Sequence, residues 1–265
     1  MRMQILIPTR GRTLKQQTLE GLPPEILQRT WLFCPEAESG HLARRWLDKG
    51  VQISAQPDPD MRIAAKRAWM LKTAWQRGAE KVLMLDDDLF FYVRREDKPD
   101  RLRDANHSDI IRWFGELEER LTPETPHGGY GPRQGNHNFP AGWLSPGRMM
   151  LALGYHVPTV LKEAVLDRIG TREDMDVALQ LLSKGLPNVI THEMAVGQKT
   201  YAAPGGCTDE RTTASSDADA ELLAELHPGL VRVVAKEYKG HPRKEVVVSW
   251  KRALEAGLRA RAQRS

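Results

Sequence analysis

Three consecutive carboxylates, Asp86-Asp87-Asp88, follow the apolar run Val82-Leu83-Met84-Leu85 and lead into Leu89-Phe90-Phe91. An apolar run of that length reads as one buried strand. Like charges at its end repel one another, so a fold that keeps them together usually supplies a cation. Oxygen ligands with no Cys or His beside them suit Mg²⁺ or Mn²⁺, with a phosphate completing the shell. The competing reading is a solvated acidic turn, and the apolar residues on both sides count against it.

A second chemical stretch follows the short run Gln4-Ile5-Leu6-Ile7, where Pro8-Thr9-Arg10-Gly11-Arg12 forms a loop. Open α/β sheets bind ligands at such a strand exit, and two guanidiniums suit a phosphate or a planar base. The loop has neither the G-x-G-x-x-G nor the Walker A spacing, which disfavours a dinucleotide fold and a P-loop. Lys66 and Arg67 sit early in a predicted helix, facing either the ligand side or solvent.

Glu173, Asp174 and Asp176 open a later helix. Thr171 with Asp174 three residues on has the form of a capping box, and acids in a first turn suit the helix dipole. A structural reading of these acids therefore stands beside a chemical one. His192, at the end of a late strand, is a hydrogen-bonded residue or a further metal ligand. Lys199 and Arg211 flank a Gly/Thr/Ser-rich segment that reads as a mobile loop, both available to a phosphate.

The elements that must carry these residues alternate. Strands are predicted at 4–7, 31–34, 51–54 and 82–85. A helix capped by Asp60, with Ala64, Ala68, Leu71 and Trp75 as its stripe, ends at Gly78. This order argues for a mainly parallel sheet wrapped by helices. Residues 94–104 are charged surface, and a helix over 108–121 buries Ile110, Ile111, Phe114, Leu117 and Leu121. Residues 122–147 hold five prolines and six glycines, but also Tyr130, Phe139 and Trp143. A long loop with aromatic residues reads as ordered and functional, on the acceptor side. A strand over 148–157, a helix over 159–169, the helix with Met175, Ala178, Leu179 and Leu182, and a strand over 188–191 complete the core. A helix over 218–226, a strand over 230–234 and a last helix with Trp250, Leu254 and Leu258 follow.

At 265 residues and a formal charge of +4, the chain has material for one large domain or two small ones. No run of about 18 apolar residues exists, so no membrane span is expected, and the first residues are too short an apolar run for a secretory signal. Cys34 and Cys207 form no metal or disulfide pattern, which makes a reduced cytoplasmic setting the default. From Arg232 to Ser265 there are ten Lys/Arg against three Glu, a balance that attracts a polyanion such as DNA or marks a solvated helix face.

Taken in order, the Pro8-Thr9-Arg10 exit, Lys66-Arg67-Ala68, Leu85-Asp86-Asp87-Asp88 and Glu173-Asp174-x-Asp176 resemble glycosyltransferases of the GT-A fold. The resemblance covers roughly residues 4 to 200. It implies an α/β fold, a GT-A (Rossmann-like) mixed, mainly parallel sheet flanked by helices. Residues 1–200 form the core, with a nucleotide-sugar half at about 1–92 and an acceptor half at about 93–200. Residues 201–265 add a flexible loop and a basic, helical C-terminal extension of the same domain.

The resemblance also implies roles. Pro8, Thr9 and Arg10 match the loop that holds the nucleoside, and Arg12, Lys66, Arg67, Asp87, Lys199 and Arg211 are further candidates for the donor. Asp86 matches the carboxylate near ribose and metal, Asp88 the main ligand of Mn²⁺ or Mg²⁺, and His192 a late metal ligand. Asp174 matches the general base of inverting members, with Glu173 and Asp176 as competitors.

Within the fold, the start of the chain, the Leu-Asp-Asp-Asp-Leu core and Pro204-Gly205-Gly206-Cys207 before Arg211 resemble the phage-encoded TET-associated glycosyltransferases. Those enzymes are thought to add sugars to hydroxymethylated pyrimidines in DNA. The implied donor is a UDP-sugar such as UDP-glucose, the implied partner double-stranded DNA, and the implied location the host cytoplasm. The rival readings are a GT-A enzyme acting on a saccharide, lipid carrier or protein, a pyrophosphorylase-like enzyme, and a DNA-binding protein without catalysis. Oligomeric state is not legible.

Overall fold

A computed structural model of the chain describes residues 2–198, 213–238 and 241–264. The first half is built from β1 (Gln4–Pro8), α1 (Gln17–Gly21), α2 (Pro24–Leu27), β2 (Thr30–Cys34), α3 (Glu36–Trp46), β3 (Gln52–Ala55), α4 (Ile63–Gln76) and β4 (Lys81–Leu85). Its four strands pair in parallel in the order β3-β2-β1-β4. β1, β2 and β4 are buried almost throughout, as strands covered on both faces must be, which is why they read as unbroken apolar runs.

The second half adds β5 (Phe90–Arg94), β6 (Leu102–Asp104), α5 (His107–Arg120), β7 (His127–Pro132), β8 (Trp143–Leu144), β9 (Ala152–His156), α6 (Val157–Glu163), α7 (Glu173–Ser183) and β10 (Asn188–Gly197). Among the described residues one sheet runs β3-β2-β1-β4-β9-β7-β10-β5-β6, with β8 also on β10. β5, β8 and β9 run against the others. One face is covered by α1, α3 and α5 through Leu19, Leu42, Trp46, Phe114 and Leu117. The other is covered by α4, α6 and α7 through Met70, Leu71, Val160, Val177 and Leu181.

The chain ends in α8 (Thr213–Leu226), the hairpin β11 (Val231–Tyr238) and β12 (His241–Val248), and α9 (Trp250–Ala262). These pack on the outer side of α7, where Met175, Leu179 and Leu182 join Leu223, Val231 and Ala253 in a third core. Helix α7 is thus gripped on both sides. Gly257 and Gly185 let α9 approach α7 closely: a Cβ on Gly257 would lie under 3.0 Å from Leu182 O. No helix among the described residues is long and apolar enough to cross a membrane.

Several local expectations are corrected. Residues 122–147 are not one loop: β7 runs through the glycine-rich part, because Gly128, Gly129 and Gly131 pass neighbouring atoms too closely for any side chain. The strand at 188–191 continues to Gly197, and β5, β6 and β12 add strands where none was predicted. The strand and helix predicted at 148–157 and 159–169 contract to β9 and α6. The helix predicted after Asp60 starts at Ile63 with Arg62 at its cap, and Trp75 is exposed. In α5 the buried residue is Trp113 rather than Ile111, and Asn106 with Asp109 makes a capping box.

Candidate active site

The carboxyl ends of β1, β4 and β10 meet at one place, as they do in open parallel sheets. The three aspartates after β4 point to different partners. Asp87 turns inward and is 5% exposed. Its Oδ2 accepts the Thr9 hydroxyl at 2.6 Å, and its Oδ1 accepts Arg12. Asp86 and Asp88 keep side chains 24% and 20% exposed. Asp86 accepts Arg67 Nη2 at 2.7 Å, while Asp88 meets Arg12 Nη1 at 2.9 Å and Gln198 Nε2 at 2.6 Å.

Helix α4 supplies the opposing cations. Lys66 is buried and donates to Thr9 O at 2.9 Å, fixing the loop after β1. Arg67 lies between Asp86 and Glu173, so it ties the end of β4 to the start of α7. Arg10 meets exposed Asp60 at 3.6 Å. Pro8 closes β1 beside Phe33. Lys199 and Arg211 lie outside the described residues.

Burial pushes the Asp87 carboxyl up to about 6, although Thr9 and Arg12 pull the other way. Burial also raises the phenol of Tyr155, which lies among Arg67, Asp174 and Glu173. The three acids of α7 diverge as well. Glu173 is buried against Arg67. Asp176 is sealed beneath the C-terminal elements, its carboxylate bound by Arg168 at 2.8 and 2.6 Å and by His227 at 2.7 Å. Asp174 is half-buried and makes no ion pair among the described residues; its Oδ1 accepts Met175 N at 2.9 Å. Of the three it is the carboxylate left open to a ligand.

His192 is not brought to the aspartates. The apolar residues Met194 to Val196 prolong β10 beyond it, so it sits mid-strand, on the order of 15 Å along the chain from Gly197. Its ring stacks on Phe139 with centroids 3.8 Å apart, and burial with Arg94 nearby holds its pKa down at about 4. Sequence reasoning also missed Gln16, Thr18 and Gln198. Gln16 Nε2 donates to Thr9 Oγ1 at 2.8 Å, and the Thr18 hydroxyl donates to Asp86 O at 2.6 Å, bracing both loops. The crossover between β1 and β2 mixes polar and apolar residues throughout, so nothing local singles out the first two. Nothing local marks Gln198.

The donor set is compatible with a hard divalent cation. Asp86 and Asp88 offer carboxylate oxygens without Cys or His, and Mg²⁺-type ions use one or two carboxylates with water and substrate phosphate. No group of three or more His, Cys, Asp or Glu forms a protein-only cage among the described residues. Asp87 is the most deeply buried of the three, with Thr9 and Arg12 on its oxygens, whereas Asp86 and Asp88 keep part of their carboxylates exposed.

The sequence model of a family described as TET-Associated Glycosyltransferase matches residues 3–206. No curated protein sequence matches the chain. Among solved structures, Staphylococcus aureus TarS 1-349 superposes with a TM-score of 0.51 at 12% identity, over 85% of this chain and 65% of that one. This chain therefore spans a little under two thirds of the TarS fragment. Glucosyl-3-phosphoglycerate synthase from Mycobacterium tuberculosis, in complex with Mn²⁺, UDP and phosphoglyceric acid, gives 0.52 at 9% identity, over 93% and 87%. The Pyrobaculum calidifontis mannosyltransferase PcManGT, with GDP-Man and Mn²⁺, gives 0.51 at 11%, over 85% and 62%. At these identities the likeness establishes the fold, that of GT-A glycosyltransferases.

Proposed function

The chain belongs to the TET-associated glycosyltransferase family and is a glycosyltransferase; from that premise we propose that it moves a sugar from a nucleotide sugar, UDP-glucose first among candidates, to the hydroxymethyl group of a modified pyrimidine in double-stranded DNA. The observation that carries the reading is the Arg67 bridge from Asp86 to Glu173. It ties the carboxylates after β4 to the first turn of α7, where Asp174 stands, and so supports reading them as parts of one site.

On the donor side, Pro8 and Thr9 shape the nucleoside loop, with Lys66 holding its backbone. Asp86 faces the ribose, and Asp86 with Asp88 would hold Mn²⁺ or Mg²⁺. Such an ion, when bound, neutralises charge on the departing diphosphate. On the acceptor side, Asp174 takes the proton of the attacking hydroxyl from the face of the sugar opposite the diphosphate. The bond from the anomeric carbon to the acceptor oxygen forms as its bond to the phosphate oxygen breaks. The basic stretch from Arg232 onward supports a polyanionic acceptor.

The test is mass spectrometry of nucleosides from DNA incubated with the protein, Mn²⁺ and a panel of sugar nucleotides. Duplexes carrying hydroxymethylcytosine, hydroxymethyluracil or unmodified bases run in parallel with an Asp88→Ala variant. A hexose-sized gain on a hydroxymethylated base, reduced on the order of 10²-fold or more in Asp88→Ala, is expected. Release of UDP without modified DNA would move the acceptor to a saccharide or protein. Equal gain with Asp88→Ala would remove Asp88 from the donor site.

A further inference from the structure

The cap residue of α7 makes no side-chain bond to the helix. The Thr171–Asp174 spacing predicts a capping box, yet Thr171 turns outward: its N–H and hydroxyl both donate to Asp219 Oδ2 of α8, at 2.8 and 2.6 Å. The cap position falls to Arg172, held at φ 66 and ψ 20 in the left-handed region. A residue with a Cβ stays there only when its surroundings hold it. Here β12 does so, with Arg172 Nη2 donating to Lys244 O at 3.2 Å and Nη1 meeting Glu245 at 3.5 Å. Beyond the open carboxylate, Asp176 is fixed by His227 at the end of α8. The C-terminal elements thus hold residues 171, 172 and 176, on both sides of Asp174, and the family match ends before them.

We propose that Asp219 is a positioning residue for sugar transfer. One carboxylate oxygen receiving both donors of Thr171 fixes that residue, and the reversed turn at Arg172 then sets the direction in which Asp174 leaves the helix. Asp219 is bonded to Thr171 and not to Asp174, so it acts through the backbone. The inference rests on the reading of Asp174 as the base.

Three variants of the full chain, Asp219→Ala, Asp219→Asn and Asp174→Asn, separate the two claims. Each is assayed with UDP-glucose, Mn²⁺ and hydroxymethylcytosine duplex DNA, and its thermal midpoint is measured. If the unsubstituted chain modifies no DNA, UDP release by hydrolysis supplies the same comparison. Displacement of a reacting group by about 1 Å costs on the order of 10²-fold, so Asp219→Ala should lose kcat on that scale with KM for UDP-glucose within about twofold. Asp219→Asn, whose amide oxygen still accepts, should recover most of the loss. An Asp219→Ala protein with unchanged kcat and only a lower midpoint would overturn the positioning role while an inactive Asp174→Asn leaves the base in place. An active Asp174→Asn would instead remove the base itself. Should Asp219→Ala fail to fold, Thr171→Val, which loses only the hydroxyl bond, replaces it; a smaller kcat loss at constant KM supports the role and unchanged kcat overturns it.

Discussion

Asp86, Asp87 and Asp88 are the same side chain three times over, and the fold gives each a different environment. Asp87 is the sealed one, and burial holds its carboxyl at about 6, against 3.8 for an ordinary aspartic acid. A carboxyl whose folded pKa lies above its unfolded value holds its proton more tightly in the folded state. Its contribution to stability is therefore complete below pH 4 and lost as pH rises through about 6. The full span is on the order of 3 kcal/mol. Asp87→Asn should abolish this part of the slope, seen by comparing urea unfolding of both proteins at pH 4 and pH 7. Equal slopes would mean that Arg12 keeps Asp87 ionised in the fold. The sequence singled out the three aspartates as a group, but period-two alternation alone did not say which one would turn inward.

At the scale of elements, the stretch from 122 to 147 shows where pattern reading stops. Glycines that read as a loop form β7, because only a missing side chain fits against the backbone of β9 and β10. Its three aromatic residues part company. Tyr130 is fully buried and donates to Trp113 O at 3.0 Å, and Trp143 lies against Trp113 under Arg120. Phe139 alone of the three is 42% exposed, lying flat on His192, and Arg94 pins its segment through the carbonyls of Asn136 and Phe139. A rigid exposed ring can stack on a nucleobase, worth about 1–3 kcal/mol per base. Phe139→Ala should accordingly weaken binding of a labelled hydroxymethylcytosine duplex by roughly tenfold in fluorescence anisotropy, with UDP-glucose affinity unchanged. Undiminished duplex binding would take Phe139 out of the acceptor surface.

For the molecule as a whole, the C-terminal elements share a core with the helix that carries Asp174. A chain ended after residue 206, where the family match stops, would bare Met175, Leu179 and Leu182 along α7. It should elute as aggregates in size exclusion and bind ANS, with transferase activity lost; a monomeric, active fragment would contradict the shared core. The basic residues at this end also divide: Arg261 of α9 and Arg264 just beyond it line a cleft of about 430 Å³ with Lys184, at the opposite end of α7 from Asp174. What the sequence determined by itself was the local physics: apolar runs of strand length, their acidic and cationic exits, and the order that makes a mixed, mainly parallel sheet. These are properties of neighbours along the chain, set by burial on two faces and by charge repulsion at strand ends. Which aspartate is sealed and why Asp174 rather than Glu173 or Asp176 stays open were decided only by tertiary structure. Each depends on a partner far away in sequence—Arg67 for Glu173, His227 for Asp176, Thr9 for Asp87—and no local spacing encodes such a meeting.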